Sequence, residues 1–312
     1  MDTMRPRWLP PDEYPFTVRH VRLSGGPVAY IDEGDGPTLL FVHAGMWSFV
    51  FRDAITRLRP HFRCVTLDFP GYGLSPETSR ELTLADLADV LDEFVATLGL
   101  RAVTVVAHDL GGPVGLTTAA RRRGDVTGLV LANTFAWTPD RRALRAMLRL
   151  VGSRPMQGLG AATNLVPRLT STRFGVGRHL SSAGRATFLG PFADRTVRRR
   201  FHALLASALQ ETVLTDRVER ATRTVLNDLP VLTIFGERND PFGFQQRHAA
   251  TFPDHTGVVV AGGNHFPMMD DPDLFATSLR QWHASRVARA HGSPRTSESR
   301  VARAHGSPRT SE

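Results

Sequence analysis

Val103-Thr104-Val105-Val106-Ala107-His108-Asp109-Leu110-Gly111-Gly112-Pro113 decides the architecture of this chain. Val103–Ala107 is a continuous apolar run of strand length, and Gly112–Arg122 reads as a helix. The chain must turn sharply between them, because helix and strand then pack closely. Such a turn needs small residues two places before and two places after its apex, and Ala107 and Gly111 satisfy both conditions around Asp109. The turn also aims the N–H groups at the helix start toward whatever its apex carries, which suits a developing negative charge. On this segment alone, Asp109 has a second reading as a simple helix cap.

Working outward, the same alternation continues on both sides. Val21–Leu23, Val28–Ile31 and Leu39–Val42 read as strands separated by the turns Gly25-Gly26 and Gly34-Asp35-Gly36-Pro37. Cys64–Leu67 is a further strand, and Thr83 caps an amphipathic helix to about Leu98, with Asp86 completing a capping box. Strands follow at Leu129–Ala132, Val231–Phe235 and Val258–Val260, with a closing helix at Pro272–His283. Strands alternating with helices imply a parallel, doubly wound α/β sheet. Residues 137–227 break the pattern: they are rich in Arg, hold helical patches at Arg141–Leu150 and Thr196–Leu209, and contain no convincing strand. They read as a helical insertion into a core formed by residues 1–136 and 228–284.

The last 28 residues are a perfect tandem repeat, Ser285–Glu298 and Ser299–Glu312. Each copy carries three Arg and one Glu, so half of the formal net charge of +8 lies in the tail. Its Ser, Gly, Pro and Arg offer no core-forming face, and residues 285–312 are expected to be disordered. The chain has no lysine, so arginine alone sets its basicity. Without interleaved aromatics or a binding motif, this balance does not point to nucleic acid. No stretch is apolar enough for a signal peptide or a membrane span, and the expectation is a cytoplasmic protein. Cys64, the single cysteine, lies in a strand and reads as a buried structural thiol.

Asp109 keeps chemically suggestive company. Gly263-Asn264-His265-Phe266-Pro267 follows the last strand, and Asp240 lies just past the preceding one in Gly236-Glu237-Arg238-Asn239-Asp240-Pro241. The order nucleophile, acid, histidine is that of a hydrolytic triad, with Asp240 orienting the imidazole of His265 and Glu237 as its rival. Upstream, His43-Ala44-Gly45 follows a strand, so the N–H groups of Gly45 and Leu110 are candidate oxyanion donors.

His108–Pro113, Asp68–Ser75 (DFPGYGLS), Trp47–Arg52 (WSFVFR) and Gly263–Pro272 (GNHFPMMDDP) together resemble the haloalkane dehalogenase and epoxide hydrolase branch of the α/β hydrolases, over residues 18–284. The resemblance implies an α/β-hydrolase fold with a mostly parallel eight-stranded sheet and a helical cap. It implies Asp109 as nucleophile, His265 as base and Asp240 as acid, with no metal or organic cofactor. The partners it implies are a small apolar organic substrate and water.

Three positions depart from the family. Leu110 stands where dehalogenases place a halide-holding tryptophan, Gly45 stands where they place Asn or Glu, and Tyr14, Tyr30 and Tyr72 all lie outside the cap, where epoxide hydrolases place their acid tyrosines. Trp47 and Trp137 are the substitute candidates for substrate contact, and His179 and His202 are candidate acids toward an epoxide oxygen. The readings carried forward are a haloalkane dehalogenase-like hydrolase, an epoxide hydrolase, a cofactor-free luciferase-like oxygenase, and a ligand-binding protein with a vestigial site.

Overall fold

The computed structural model describes residues 5–287 apart from 79, 139, 141 and 209. Eight strands form one sheet: β1 Arg19–Leu23, β2 Gly26–Glu33, β3 Thr38–His43, β4 Arg63–Leu67, β5 Val103–His108, β6 Val126–Ala132, β7 Val231–Gly236 and β8 His255–Val260. Their spatial order is β1-β2-β4-β3-β5-β6-β7-β8, antiparallel in the pairs β1/β2 and β2/β4 and parallel elsewhere. Every residue of β3, β5, β6 and β7 is buried. These are the strands covered on both faces, which explains their continuous apolar runs. The edge strand β8 starts three residues before the expected Val258, at His255, and its exposed residues hid that start from a reading based on apolar runs.

Helices α1 Arg52–Leu58, α2 Leu84–Thr97, α3 Gly111–Arg121, α10 Phe244–Thr251, α11 Pro267–Asp270 and α12 Pro272–Trp282 accompany the sheet. The capping box at the start of α2 forms as expected: Asp86 N–H donates to Thr83 Oγ1 at 3.2 Å, and Thr83 N–H donates to Asp86 Oδ2 at 2.8 Å. Cys64 is fully buried, which pushes its thiol up to about 12 and leaves it unreactive. The body also runs past residue 284, the boundary read from the sequence. Val287 is buried and would touch a side chain placed at Gly128. The remainder of the repeated tail lies outside the described residues.

Between β6 and β7 the described chain is helical: α4 Arg142–Val151, α5 Arg154–Thr163, α6 Leu165–Thr170, α7 Ser182–Leu189, α8 Arg195–Ser207 and α9 Thr212–Arg223, with short 3-10 turns. α4 and α5 both pack on α8. Among the described residues no helix is long and apolar enough to cross a membrane.

The strand order fixes where chemistry can occur. From β3 the chain moves to β4 on one side, and α2 then carries it across to β5 on the other. The order thus reverses at β3, and a crevice opens at the carboxyl ends of β3 and β5. His43 pairs with His108 in register, so Gly45 and Leu110, each two residues further on, leave the sheet at the same level.

Candidate active site

Asp109 occupies the apex of the turn between β5 and α3 with φ +50°, a left-handed conformation that few non-glycine residues adopt. Packing holds it there. A Cβ on Gly111 would lie 2.2 Å from the Val42 carbonyl oxygen, and one on Gly112 would lie 1.8 Å from Thr134 Oγ1. Neither position admits a side chain without displacing the elbow. Thr134 Oγ1 and Gly112 N–H both donate to the Asp109 carbonyl, at 2.5 and 3.0 Å. The side chain is therefore free to turn toward the crevice.

His265 meets it there, with Nε2 3.6 Å from Asp109 Oδ2. The loop carrying His265 is fixed at three points. Its own carbonyl accepts from His108 Nε2 at 2.7 Å, Asn264 N–H donates to Asp270 Oδ2 at 2.5 Å, and the Asn264 carbonyl accepts from Asn133 Nδ2 at 3.3 Å. Asn133, at φ +39° beyond β6, also accepts from Gly236 N–H at 2.8 Å and so ties β6, β7 and the histidine loop together.

The rings of His43, His108 and His265 adjoin in sequence, tilted by 35° and 54°, with neighbouring centroids 4.9 Å apart. Burial pushes His43 down to about 4 and His108 well below the ordinary histidine value, so both are neutral near pH 7. Burial alone would raise the Asp109 carboxyl. The charge and hydrogen bond of His265 outweigh that effect and hold it below the usual carboxylate range, ionised as a nucleophile must be.

The expected acid is not where the sequence reading put it. Asp240 turns away from His265 and accepts the first two N–H groups of α10, from Phe244 at 2.6 Å and Gln245 at 2.9 Å. The rival Glu237 accepts from Gly262 N–H at 2.7 Å. The side chain on His265 Nδ1 is Asn239, with Nδ2 at 3.1 Å. Asn239 N–H donates to the Gly236 carbonyl at 3.0 Å, and this tight turn folds residue 239 back over the end of β7 and sends residue 240 toward the helix.

A cavity of about 310 Å³ opens over Asp109 and His265. Leu110, Phe135, Phe235, Phe242 and Phe244 supply most of its core-side wall, and Met147 and Leu148 of α4 with Leu205 and Ala208 beyond them close it from the helical side. Asn133 and Asn239 are the remaining polar members. None of these wall residues except Leu110 was singled out from the sequence, because a phenylalanine in a loop carries no signal distinguishing wall from core.

Both tryptophan expectations are corrected. Trp47 Nε1 donates to the Phe188 carbonyl at 3.0 Å, and the ring is buried against Trp8, Tyr14 and Phe49. Trp137 is buried behind Phe244, with the Arg247 guanidinium 4.1 Å from its ring centroid. Neither belongs to the cavity wall. The histidines proposed as epoxide acids are also elsewhere: His179 Nε2 lies 3.1 Å from the Asp270 carbonyl, and His202 is buried against Gly160. Gly45, at φ +86°, lies under Phe201 of α8. No cluster of three or more His, Cys, Asp or Glu that could hold a metal occurs among the described residues.

The alpha/beta hydrolase family model matches residues 39–278. Haloalkane dehalogenase 2 of Mycobacterium tuberculosis H37Rv is 35% identical over 275 residues, covering 86% of this chain and 96% of that protein. A cis-3-alkyl-4-alkyloxetan-2-one decarboxylase of Shewanella oneidensis is 29% identical over 198 residues, 60% of this chain and 62% of that one. Among solved structures, haloalkane dehalogenase DbeA from Bradyrhizobium elkani superposes with a TM-score of 0.77 at 23% identity, over 88% of this chain and 99% of that one. Epoxide hydrolase CorEH superposes with a TM-score of 0.72 at 21% identity, over 86% and 99%. These two likenesses speak for the fold, the first relative for kinship. The chain belongs to the alpha/beta hydrolase family and is a haloalkane dehalogenase-like hydrolase.

Proposed function

We propose that the chain hydrolyses a carbon–halogen bond through a covalent ester on Asp109. The observation that carries this reading is an ionised carboxylate at the apex of the elbow, 3.6 Å from His265 Nε2, under an apolar cavity. A carboxylate gains nothing by attacking an ester or amide, since an anhydride would result, but it displaces a leaving group from saturated carbon. An Asp109 oxygen bonds to that carbon as the halide departs with the bonding pair. His265 then removes a proton from water, the hydroxide attacks the Asp109 carbonyl carbon, and collapse releases the alcohol. Alkyl halide and water become alcohol, halide and a proton.

On this reading the N–H groups of Leu110 and Gly45 are the donors to the tetrahedral anion, worth roughly 3–4 kcal/mol each in comparable sites. Asn239 is the positioning residue for the imidazole. Its amide offers either an oxygen to Nδ1–H or an N–H to bare Nδ1, but no charge to balance an imidazolium.

A second reading is favoured by that neutral partner and by a wall whose two side-chain amides each already give one N–H within the protein: Asn133 to the Asn264 carbonyl and Asn239 to His265. A four-membered lactone, the substrate type named for the Shewanella oneidensis relative, needs neither a halide site nor activated water. Attack of Asp109 on its ring C–O carbon would free a carboxylate, and loss of carbon dioxide with departure of Asp109 would give an alkene. Epoxide opening has less support, since Tyr14 and Tyr72 spend their hydroxyls on Ser48 and the Arg200 carbonyl and neither belongs to the cavity wall.

The deciding experiment offers bromoalkanes, epoxides and a cis-dialkyl β-lactone to the protein and measures halide, diol, alkene and carbon dioxide. Single turnover of a bromoalkane in oxygen-18 water should place the label in the Asp109 carboxylate. Halide release with no label in Asp109 would mean direct attack by water and would overturn the ester.

A further inference from the structure

From Arg141 through Ala193 the chain contains nine arginines and no Asp or Glu. No comparable stretch occurs in the body, where Arg52, Arg57, Arg63 and Arg122 each meet a carboxylate at 2.5–2.7 Å. Among the described residues, Arg142, Arg145, Arg149, Arg154 and Arg168 form no ion pair at all. The same 53 residues hold five of the eight large hydrophobic side chains that the described surface exposes: Met147, Leu150, Leu159, Leu169 and Phe174. Leu150 is 62% exposed, Leu169 57% and Phe174 68%. Leaving three such side chains in water is unfavourable, and they stand interleaved with unpaired positive charge.

On α4 the exposed side has a definite direction. α4 and α5 both lie on α8, and Leu148 of α4 sits at that seam with Ala206. Leu150 is two residues further on, about 160° around the helix from Leu148, and so points away from the body. Arg142 and Arg149 lie together beside it, about 80° and 100° around the helix on one side. The rim of the catalytic cavity is continuous with this face, since Met147 is both exposed and part of the cavity wall.

We propose that the α4–α6 face docks on an anionic phospholipid bilayer, with Leu150, Leu169 and Phe174 entering the interface and the arginines meeting the headgroups. Basic residues interleaved with aliphatic and aromatic ones are the chemistry that seats a surface in the boundary between headgroups and acyl chains. A second copy of this chain is disfavoured, because the same acid-free surface would meet itself with like charge. Nucleic acid would use the arginines but would leave the aliphatic side chains in water. The inference concerns association only, and it stands whichever reaction Asp109 performs.

The test is sedimentation of the full chain with vesicles of phosphatidylglycerol and phosphatidylcholine in equal parts, against phosphatidylcholine alone. Binding is expected to the first and not the second, and it should weaken as salt rises from about 0.05 to about 0.5 M, which shortens the screening length. Leu150→Glu with Phe174→Glu should weaken vesicle binding at least about tenfold while melting temperature and turnover of a water-soluble substrate stay unchanged. A chain ending at residue 287, which lacks the five arginines of the last 25 residues, should bind as the full chain does. Failure to bind anionic vesicles, equal binding by the double variant, loss of binding with the tail, or capture by an oligonucleotide in place of vesicles would each overturn the proposal. If the double variant melts lower, Arg142→Glu with Arg154→Glu replaces it, with the same loss expected.

Discussion

The turn after β5 and the turn after β7 do the same job, carrying a side chain off a buried strand into the crevice, yet the sequence discloses only one of them. At the first, geometry restricts residue type at four places. Ala107, Gly111 and Gly112 are small because helix, strand and Thr134 leave no room, and Asp109 takes φ +50° between them. At the second, Glu237, Asn239 and Asp240 are all polar and all bonded, and which one faces His265 depends on a single hydrogen bond from Asn239 N–H to the Gly236 carbonyl. Steric restriction leaves a mark on the sequence. The direction of a side chain in an open loop does not.

The largest effect expected at the first turn is chemical. Asp109→Asn should lower turnover by at least about 10⁴-fold, as loss of a nucleophile does, with the fold intact by circular dichroism. His265→Gln should instead accumulate the ester, seen by intact mass as one added alkyl group on the peptide carrying Asp109. If His265→Gln hydrolyses as fast as the parent chain, the base is elsewhere. Gly111→Ala probes the sterics directly, because its Cβ would meet backbone rather than a side chain that can move. A loss of about 3 kcal/mol is expected from denaturant unfolding, and an unchanged midpoint would show that the elbow has room for a methyl group.

At the second turn the expected effects are smaller and divide between neighbours. Asn239→Ala should slow hydrolysis of the ester about 10²-fold and leave its formation alone. Asn239→Asp adds a negative charge beside the imidazole, so the pH limb governed by His265 should move upward. A pH–rate profile indifferent to both variants would remove Asn239 from the site.

What was legible follows the same division. The eight strands and the positions of Asp109 and His265 were readable because buried parallel strands need apolar runs and strand ends need turns. The partner of the imidazole was not, since an Asp in an Asn-Asp-Pro loop satisfies the expectation of a triad acid as well as it satisfies a helix start. Trp47 was misread for a related reason. An indole N–H suits a halide, but it suits a buried carbonyl equally, and the Phe188 carbonyl that takes Trp47 lies 141 residues away in the chain. The cavity wall was illegible because it is made where α4 and α8 close over the sheet.

Three of the buried histidines give the body a pH signature. His43 and His248 are pushed down to about 4 and His108 is held well below the ordinary histidine value, by burial first in each case. Below about 6.5 the unfolded chain binds protons that the folded chain refuses, so stability is full above that pH and falls toward pH 4. Each histidine contributes a slope of about 1.4 kcal/mol per pH unit. Asp68, raised to about 6 by burial, works the other way and offsets one of the three between about pH 6 and its ordinary range. Denaturant unfolding at pH 7, 6 and 5 should therefore show a steady decline, and His248→Asn should flatten it. An unchanged slope in that variant would mean that His248 is not held neutral.

The smallest effect is the one that separates the neighbours most cleanly. The Asp240 carboxylate accepts N–H groups from Phe244 and Gln245 at the positive end of α10, an arrangement that stabilises the helix without touching the imidazole. Asp240→Asn keeps an acceptor and loses the charge, so a cost of about 0.5 kcal/mol is expected; Asp240→Ala loses both, at about 1 kcal/mol. In a chain of this size the second shifts the melting temperature by about 2 °C. Neither should change the rate of ester hydrolysis per folded molecule. If instead Asp240→Asn stops hydrolysis while Asn239→Ala spares it, the loop after β7 turns over when substrate binds, Asp240 is the acid, and the hydrogen bond from Asn239 N–H to Gly236 belongs only to the empty site.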